Sequence, residues 1–112
     1  MTGHEEGATA QTPPMAEHLE SVANAFAAFD HEVFEGPGPL GRKERELIAL
    51  AVALTTQCEV CLRGHASKAV AYGATAEELA QVTYITAALR AGGGVVHGMK
   101  AMAHVRGQFA EG

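Results

Sequence analysis

The eight residues Leu47-Ile48-Ala49-Leu50-Ala51-Val52-Ala53-Leu54 carry no polar side chain, and they follow directly on the charged stretch Arg42-Lys43-Glu44-Arg45-Glu46. A helix of this makeup is apolar on every side, so it is expected as the central, fully buried helix on which the remainder of the chain packs. A run of eight is far too short to cross a bilayer. Glu46 stands where the solvated, charged turn meets the buried stretch.

The other segments show the same helical period. Met15, Leu19, Val22, Phe26, Phe29 and Val33 recur every three or four residues, behind Thr12 as a cap and Pro13 and Pro14 in a first turn. Gly36-Pro37-Gly38-Pro39 then breaks the helix, because proline lacks the N–H and glycine favours irregular backbone. A third helix is expected from Glu59 to Tyr72 with Gly73 as its stop. Thr75 and Glu78 form a capping box ahead of Leu79, Val82, Thr86 and Leu89. Gly92-Gly93-Gly94 reads as a turn, with a last amphipathic helix carrying Val95, Met99, Met102 and Phe109. No segment alternates as a strand would, so the fold class is all-α with about five helices.

At 112 residues the chain is expected to form one domain over residues 12–112, preceded by a disordered, polar tail over residues 1–11. A core of this size is modest, and a second subunit would add to it. The formal charge of -5 leaves no basic footprint for nucleic acid or anionic lipid, so neither is expected as a partner. The start of the chain lacks the basic and apolar regions of a secretory signal, which makes cytoplasmic residence the default expectation.

In a reducing cytosol the two cysteines, Cys58 and Cys61, are an improbable permanent staple, and a catalytic, redox-sensing or metal role gains weight. Their spacing allows an intramolecular disulfide that opens and closes during a reaction. A thiol reacts as its thiolate, so something must take the proton. His65 lies four residues after Cys61 and on the same helical face, where its imidazole can act as the base. Cys61 is then the better placed nucleophile, and Cys58 can condense with a Cys61 sulfenic acid to close the disulfide. A helix that starts at Cys58 would instead favour the Cys58 thiolate. Glu46 is suited to orient His65 and stabilise its cation, completing a relay from Glu46 through His65 to Cys61.

Glu46, eleven intervening residues, Cys58-x-x-Cys61 and then His65 resemble the core motif of the AhpD-like branch of the carboxymuconolactone decarboxylase family. The stretch Arg42 to Leu50 and the junction Gly73-Ala74-Thr75-x-Glu77-Glu78 are similar to the family as well, so the resemblance covers Leu40 to Gly94. It implies an all-helical fold assembling as trimers or as hexamers built of trimers of dimers. It also implies thiol-dependent reduction of hydroperoxides, with no metal or organic cofactor and with a lipoyl-bearing or other dithiol protein as external reductant. Within it, Glu46 and His65 match the proton relay, Cys61 the peroxide-reacting cysteine and Cys58 the resolving one. Val60 departs from the pattern, standing where the family's characterised alkylhydroperoxidase carries a second histidine.

Other readings compete. Cys58 and Cys61 could be small buried residues that never ionise. With His65, and with His97 or His104 as a fourth ligand, they could hold zinc in a redox-sensing or metal-holding oligomer. Glu46 could pair with Arg42 or Lys43 at the start of its own helix. His97 and His104, seven apart, share a helix face suited to a surface or subunit contact. A lactone decarboxylase is the remaining alternative, disfavoured because family members with that activity lack the cysteine pair.

Overall fold

The computed structural model describes residues 14–109, which form helices and connecting turns with no strand among them. The expected tail over residues 1–11 and the caps at Thr12 and Pro13 lie outside the described residues. Among the described residues there are four α-helices: α1 over Glu20–Glu35, α2 over Arg42–Thr56, α3 over Glu59–Ala71 and α4 over Ala76–His104. Short 3-10 turns at Pro14–Glu17 and Arg106–Gln108 flank them. The chain divides into two compact units, one ending at Pro39 and one beginning at Leu40.

The first unit holds α1, which starts at Glu20 rather than at the prolines; Pro14 opens a 3-10 turn instead. Its stripe of Leu19, Val22, Phe26, Phe29 and Val33 is exposed. The helix stops as expected at the glycine–proline break, where the Gly36 N–H closes on the Glu32 carbonyl.

In the second unit α2 is the helix on which both α3 and α4 pack. Its centrality agrees with the sequence, but the expected burial on every side does not. Glu46, Leu50 and Ala53 are buried, whereas Ile48 and Val52 are about half exposed. The reason is geometric: among the described residues of this unit α3 and α4 are the helices packed on α2, and they leave the side of Ile48 and Val52 uncovered. Ala69 of α3 and Thr86 of α4 complete the buried set. The Thr86 hydroxyl is satisfied within its own helix by donating to the Val82 carbonyl at 2.9 Å.

α3 ends as the sequence indicates. Gly73 takes φ of 101°, a left-handed conformation that favours glycine, and the Ala74 N–H returns to the Ala69 carbonyl. α4 then starts with the full capping box: Thr75 Oγ1 accepts from the Glu78 N–H, and Glu78 Oε1 accepts from the Thr75 N–H.

The number of helices is the main correction. Gly92-Gly93-Gly94 does not end α4, which runs unbroken for 29 residues to His104 and absorbs the expected fifth helix. Glycine in a helix interior costs about 1 kcal/mol relative to alanine, which weakens a helix without forbidding it. With no proline nearby, nothing sterically stops propagation. A Cβ built at any of the three glycines would meet no atom within 4 Å. No helix among the described residues is long and apolar enough to cross a membrane.

Candidate functional site

The site forms where α2 hands over to α3. α2 closes with Gln57 in the left-handed region, φ 58° and ψ 38°, its N–H bonded to the Ala53 carbonyl. The Cys58 N–H shares that acceptor at 3.2 Å. This tight turn leaves Cys58 as the N-cap of α3, with its Sγ accepting the Cys61 N–H at 3.4 Å. One turn of helix separates the two cysteines, and their sulfurs are joined as a disulfide with Cα atoms 5.2 Å apart. Both residues are partly exposed, so the pair is open to a reactant.

The helix therefore starts so that Cys58, not Cys61, takes the capping position. Its sulfur receives a backbone N–H and sits at the positive end of the α3 dipole, which favours a thiolate there. Cys61 lies inside the first turn, with His65 one turn beyond it on the same face.

Glu46 is 2 % exposed, the most completely enclosed large side chain among the described residues. Burial of a carboxylate without a partner is strongly unfavourable, and the partner here is His65: Nδ1 lies 2.6 Å from Glu46 Oε1. With the carboxylate ionised, Nδ1–H donates to it, and that fixes the tautomer in which Nε2 is the basic nitrogen. Such an arrangement can accept a proton at Nε2, hold the resulting imidazolium against a fixed negative charge, and return the proton later.

Lys43 does not serve Glu46. It reaches across to α4 and bonds Glu78 Oε2 at 3.0 Å. That bond raises the Lys43 ammonium above its usual range. The Glu78 carboxyl is held low first by the Thr75 N–H and then by Lys43. Arg42 donates to the Tyr72 hydroxyl at 3.3 Å and stands over its ring. The charged turn before Glu46 thus ties α2 to the end of α3 and the start of α4.

Of the four residues singled out in the sequence, Glu46 and His65 meet across α2 and α3, and Cys58 and Cys61 meet as a disulfide at the start of α3, with His65 one helical turn beyond Cys61. The zinc set does not assemble: no three His, Cys, Asp or Glu side chains among the described residues are grouped to hold a metal. His97 and His104 lie on the exposed second half of α4. Arg90 was not anticipated. Its Nη1 donates to the Leu54 and Thr55 carbonyls at 3.2 and 3.4 Å, bonding the last turn of α2 from 35 or more residues away. The one sequence signal for it is negative, the lack of any basic residue in α2's own last turn.

With this geometry in place, comparison with known proteins is informative. The family model described as the carboxymuconolactone decarboxylase family matches residues 20–104. The protein called uncharacterized protein 4 in the cox locus of Paracoccus denitrificans is 40% identical over 83 residues, covering 74% of each chain. A Cupriavidus necator protein is 37% identical over 67 residues, covering 60% of this chain and 59% of the relative. Among solved structures, a crystal structure of a Methanobacterium thermoautotrophicum protein superposes with a TM-score of 0.71 at 32% identity, covering 78% of this chain and 97% of the other.

Proposed function

Because the chain belongs to the carboxymuconolactone decarboxylase family, we propose that it is an enzyme of the family's AhpD-like kind, a thiol-dependent hydroperoxide reductase working through Cys58 and Cys61. The observation that carries this reading is the 2.6 Å contact of buried Glu46 with His65, one helical turn from Cys61. An enclosed carboxylate holding one imidazole nitrogen is the arrangement a proton relay needs, and a purely structural cysteine pair has no use for it.

In the cycle, His65 Nε2 takes the Cys61 proton. The Cys61 thiolate attacks the distal oxygen of a hydroperoxide; the O–O bond breaks, the sulfur becomes a sulfenic acid, and the departing alkoxide takes the His65 proton and leaves as the alcohol. Cys58, favoured as a thiolate by the Cys61 N–H, then attacks the sulfenic sulfur. The disulfide closes and hydroxide departs as water after protonation. An external dithiol, expected to be lipoyl-borne, attacks the disulfide, is itself oxidised to a disulfide, and restores both thiols. No metal or organic cofactor enters these steps.

A homo-oligomer, a trimer or hexamer, belongs to the same proposal. Ile48 and Val52 of α2 and Tyr84, Leu89, Val96 and Met99 of α4 are large apolar residues at 50% exposure or more, more than a small domain ordinarily leaves to water.

The test is hydroperoxide consumption by the reduced protein with excess dihydrolipoamide, against Cys58→Ser, Cys61→Ser and His65→Ala variants. Repeated turnover that disappears with either cysteine and falls steeply with His65→Ala is the expected result. A single oxidation to the disulfide with no turnover points to a redox-responsive protein instead, and no oxidation at all refutes the thiol chemistry.

A further inference from the structure

At Gln57 and Cys58 the carbonyl end of α2 meets the amide end of α3. The two ends oppose one another electrically. The amide end of α3 favours a thiolate, while the carbonyl end of α2, worth about half a negative charge, disfavours one. A cation in the last turn of α2 would remove the conflict, and α2 has none of its own. Arg90 supplies one from α4, donating from a single Nη1 to the Leu54 and Thr55 carbonyls. The Ala53 carbonyl is already taken by the N–H groups of Gln57 and Cys58. Together these bonds satisfy three consecutive carbonyls just ahead of the turn that carries Cys58.

We propose that Arg90 is a positioning residue of the thiol pair: it fixes the Gln57 turn that presents Cys58 and cancels the negative end of α2, so that the sulfur responds to the α3 amides. The inference rests on the reading of Cys58 and Cys61 as a working thiol pair, but not on the identity of the oxidant. The other charged groups at the junction are accounted for. Glu59, in the first turn of α3, is paired with Arg63 at 3.3 Å, and on the Cys61 side His65 is held by Glu46. Lys43 and Glu78 bond one another where α2 meets the start of α4.

The experiment uses the full chain, reduced, and follows alkylation by iodoacetamide across pH, with peptide mass spectrometry assigning the rate to each cysteine. Arg90→Gln keeps a hydrogen-bond donor and removes the charge; Arg90→Lys keeps the charge. Charges at a helix terminus shift a neighbouring group by about 0.2–0.7 of a pK unit. The Gln variant should therefore move the Cys58 profile up by about half a unit and slow alkylation two- to fivefold at a fixed pH below the thiol pKa, while the Lys variant recovers most of the rate. Added salt should narrow the difference between wild type and the Gln variant. An unchanged profile in the Gln variant overturns the proposal, as does a Lys variant shifted as far as the Gln variant. Circular dichroism on the same samples confirms that each is folded, and the Lys and Gln pair decides the matter if Arg90→Ala does not fold. Alkylation requires no peroxide, so a failure of peroxide turnover leaves this result readable.

Discussion

Removal of the His65 imidazole should strand the Glu46 carboxylate, and the size of the penalty can be worked from the site. Glu46 is 2 % exposed, and its Oε1 lies 2.6 Å from His65 Nδ1; the His65 side chain is 22% exposed. Breaking a fully buried pair by deleting one partner costs about 3–5 kcal/mol. Water can enter through the partly open His65 side, so the loss for His65→Ala falls just below that range, at about 2–3 kcal/mol. Glu46→Gln keeps an acceptor for Nδ1–H and forfeits the charge assistance, a loss of about 1 kcal/mol. In the double variant no charge is buried, so the combined loss should be smaller than the sum by at least about 1 kcal/mol. Urea unfolding of the oxidised proteins measures all four corners of this cycle. With an m-value of about 1.5 kcal/mol/M, a loss of about 2.5 kcal/mol lowers the midpoint by roughly 1.5–2 M. Protein concentration is held fixed, since assembly adds a mass-action contribution. A His65→Ala loss below about 0.5 kcal/mol, or strict additivity in the double variant, would refute the claim that His65 is what makes the buried carboxylate tolerable.

The bond between Lys43 and Glu78 predicts how stability changes with pH. Glu78 is lowered from 4.5, so in the folded chain it binds fewer protons than in the unfolded one, and its stabilisation, complete above 4.5, fades as pH falls through the lower folded value. Lys43 is raised from 10.5, so its contribution is complete below 10.5 and is lost as pH rises through the higher folded value. Glu78→Gln should flatten both limbs relative to wild type in a series of urea midpoints; unchanged limbs would show that the bond carries no linkage. Gln57, with φ of 58°, occupies a region that disfavours any residue with a Cβ. Gln57→Gly should therefore raise stability by about 0.5–1 kcal/mol. Thermal unfolding reads this as a midpoint higher by several degrees, and a lower midpoint would mean that the Gln57 side chain holds the turn.

The arrangement of the candidate site was legible because its residues are close in sequence and obey helical spacing. Cys58, Cys61 and His65 span two turns of one helix, and Glu46 stands at the edge of an apolar run that signals burial. The capping box at Thr75 and the stop at Gly73 were legible for a similar reason, since each is fixed by chemistry within a few residues. What escaped depended on distant contacts or on competition between weak local preferences. Arg90 meets its carbonyls across 35 and 36 positions. Lys43 chose Glu78 over the nearer Glu46 because α4 begins beside the first turn of α2. The half-exposure of Ile48 and Val52 reflects how many helices the unit has to offer, which the apolar run itself does not encode. The three glycines mislead because low helix propensity weakens a helix without stopping it.

As a helix–coil problem, α4 consists of two blocks in series. The first is nucleated by the Thr75 and Glu78 cap and held to α2 through Lys43 and Arg90. Propagation into the second must cross three glycines, each reducing the statistical weight about fivefold at ~1 kcal/mol, or roughly a hundredfold together. The outer block therefore unzips toward Gly92 as one short cooperative piece, while the block carrying Arg90 stays wound. Amide exchange along this single helix should accordingly fall not as a smooth gradient from its end but as a step, with the turn that carries Arg90 on the slow side.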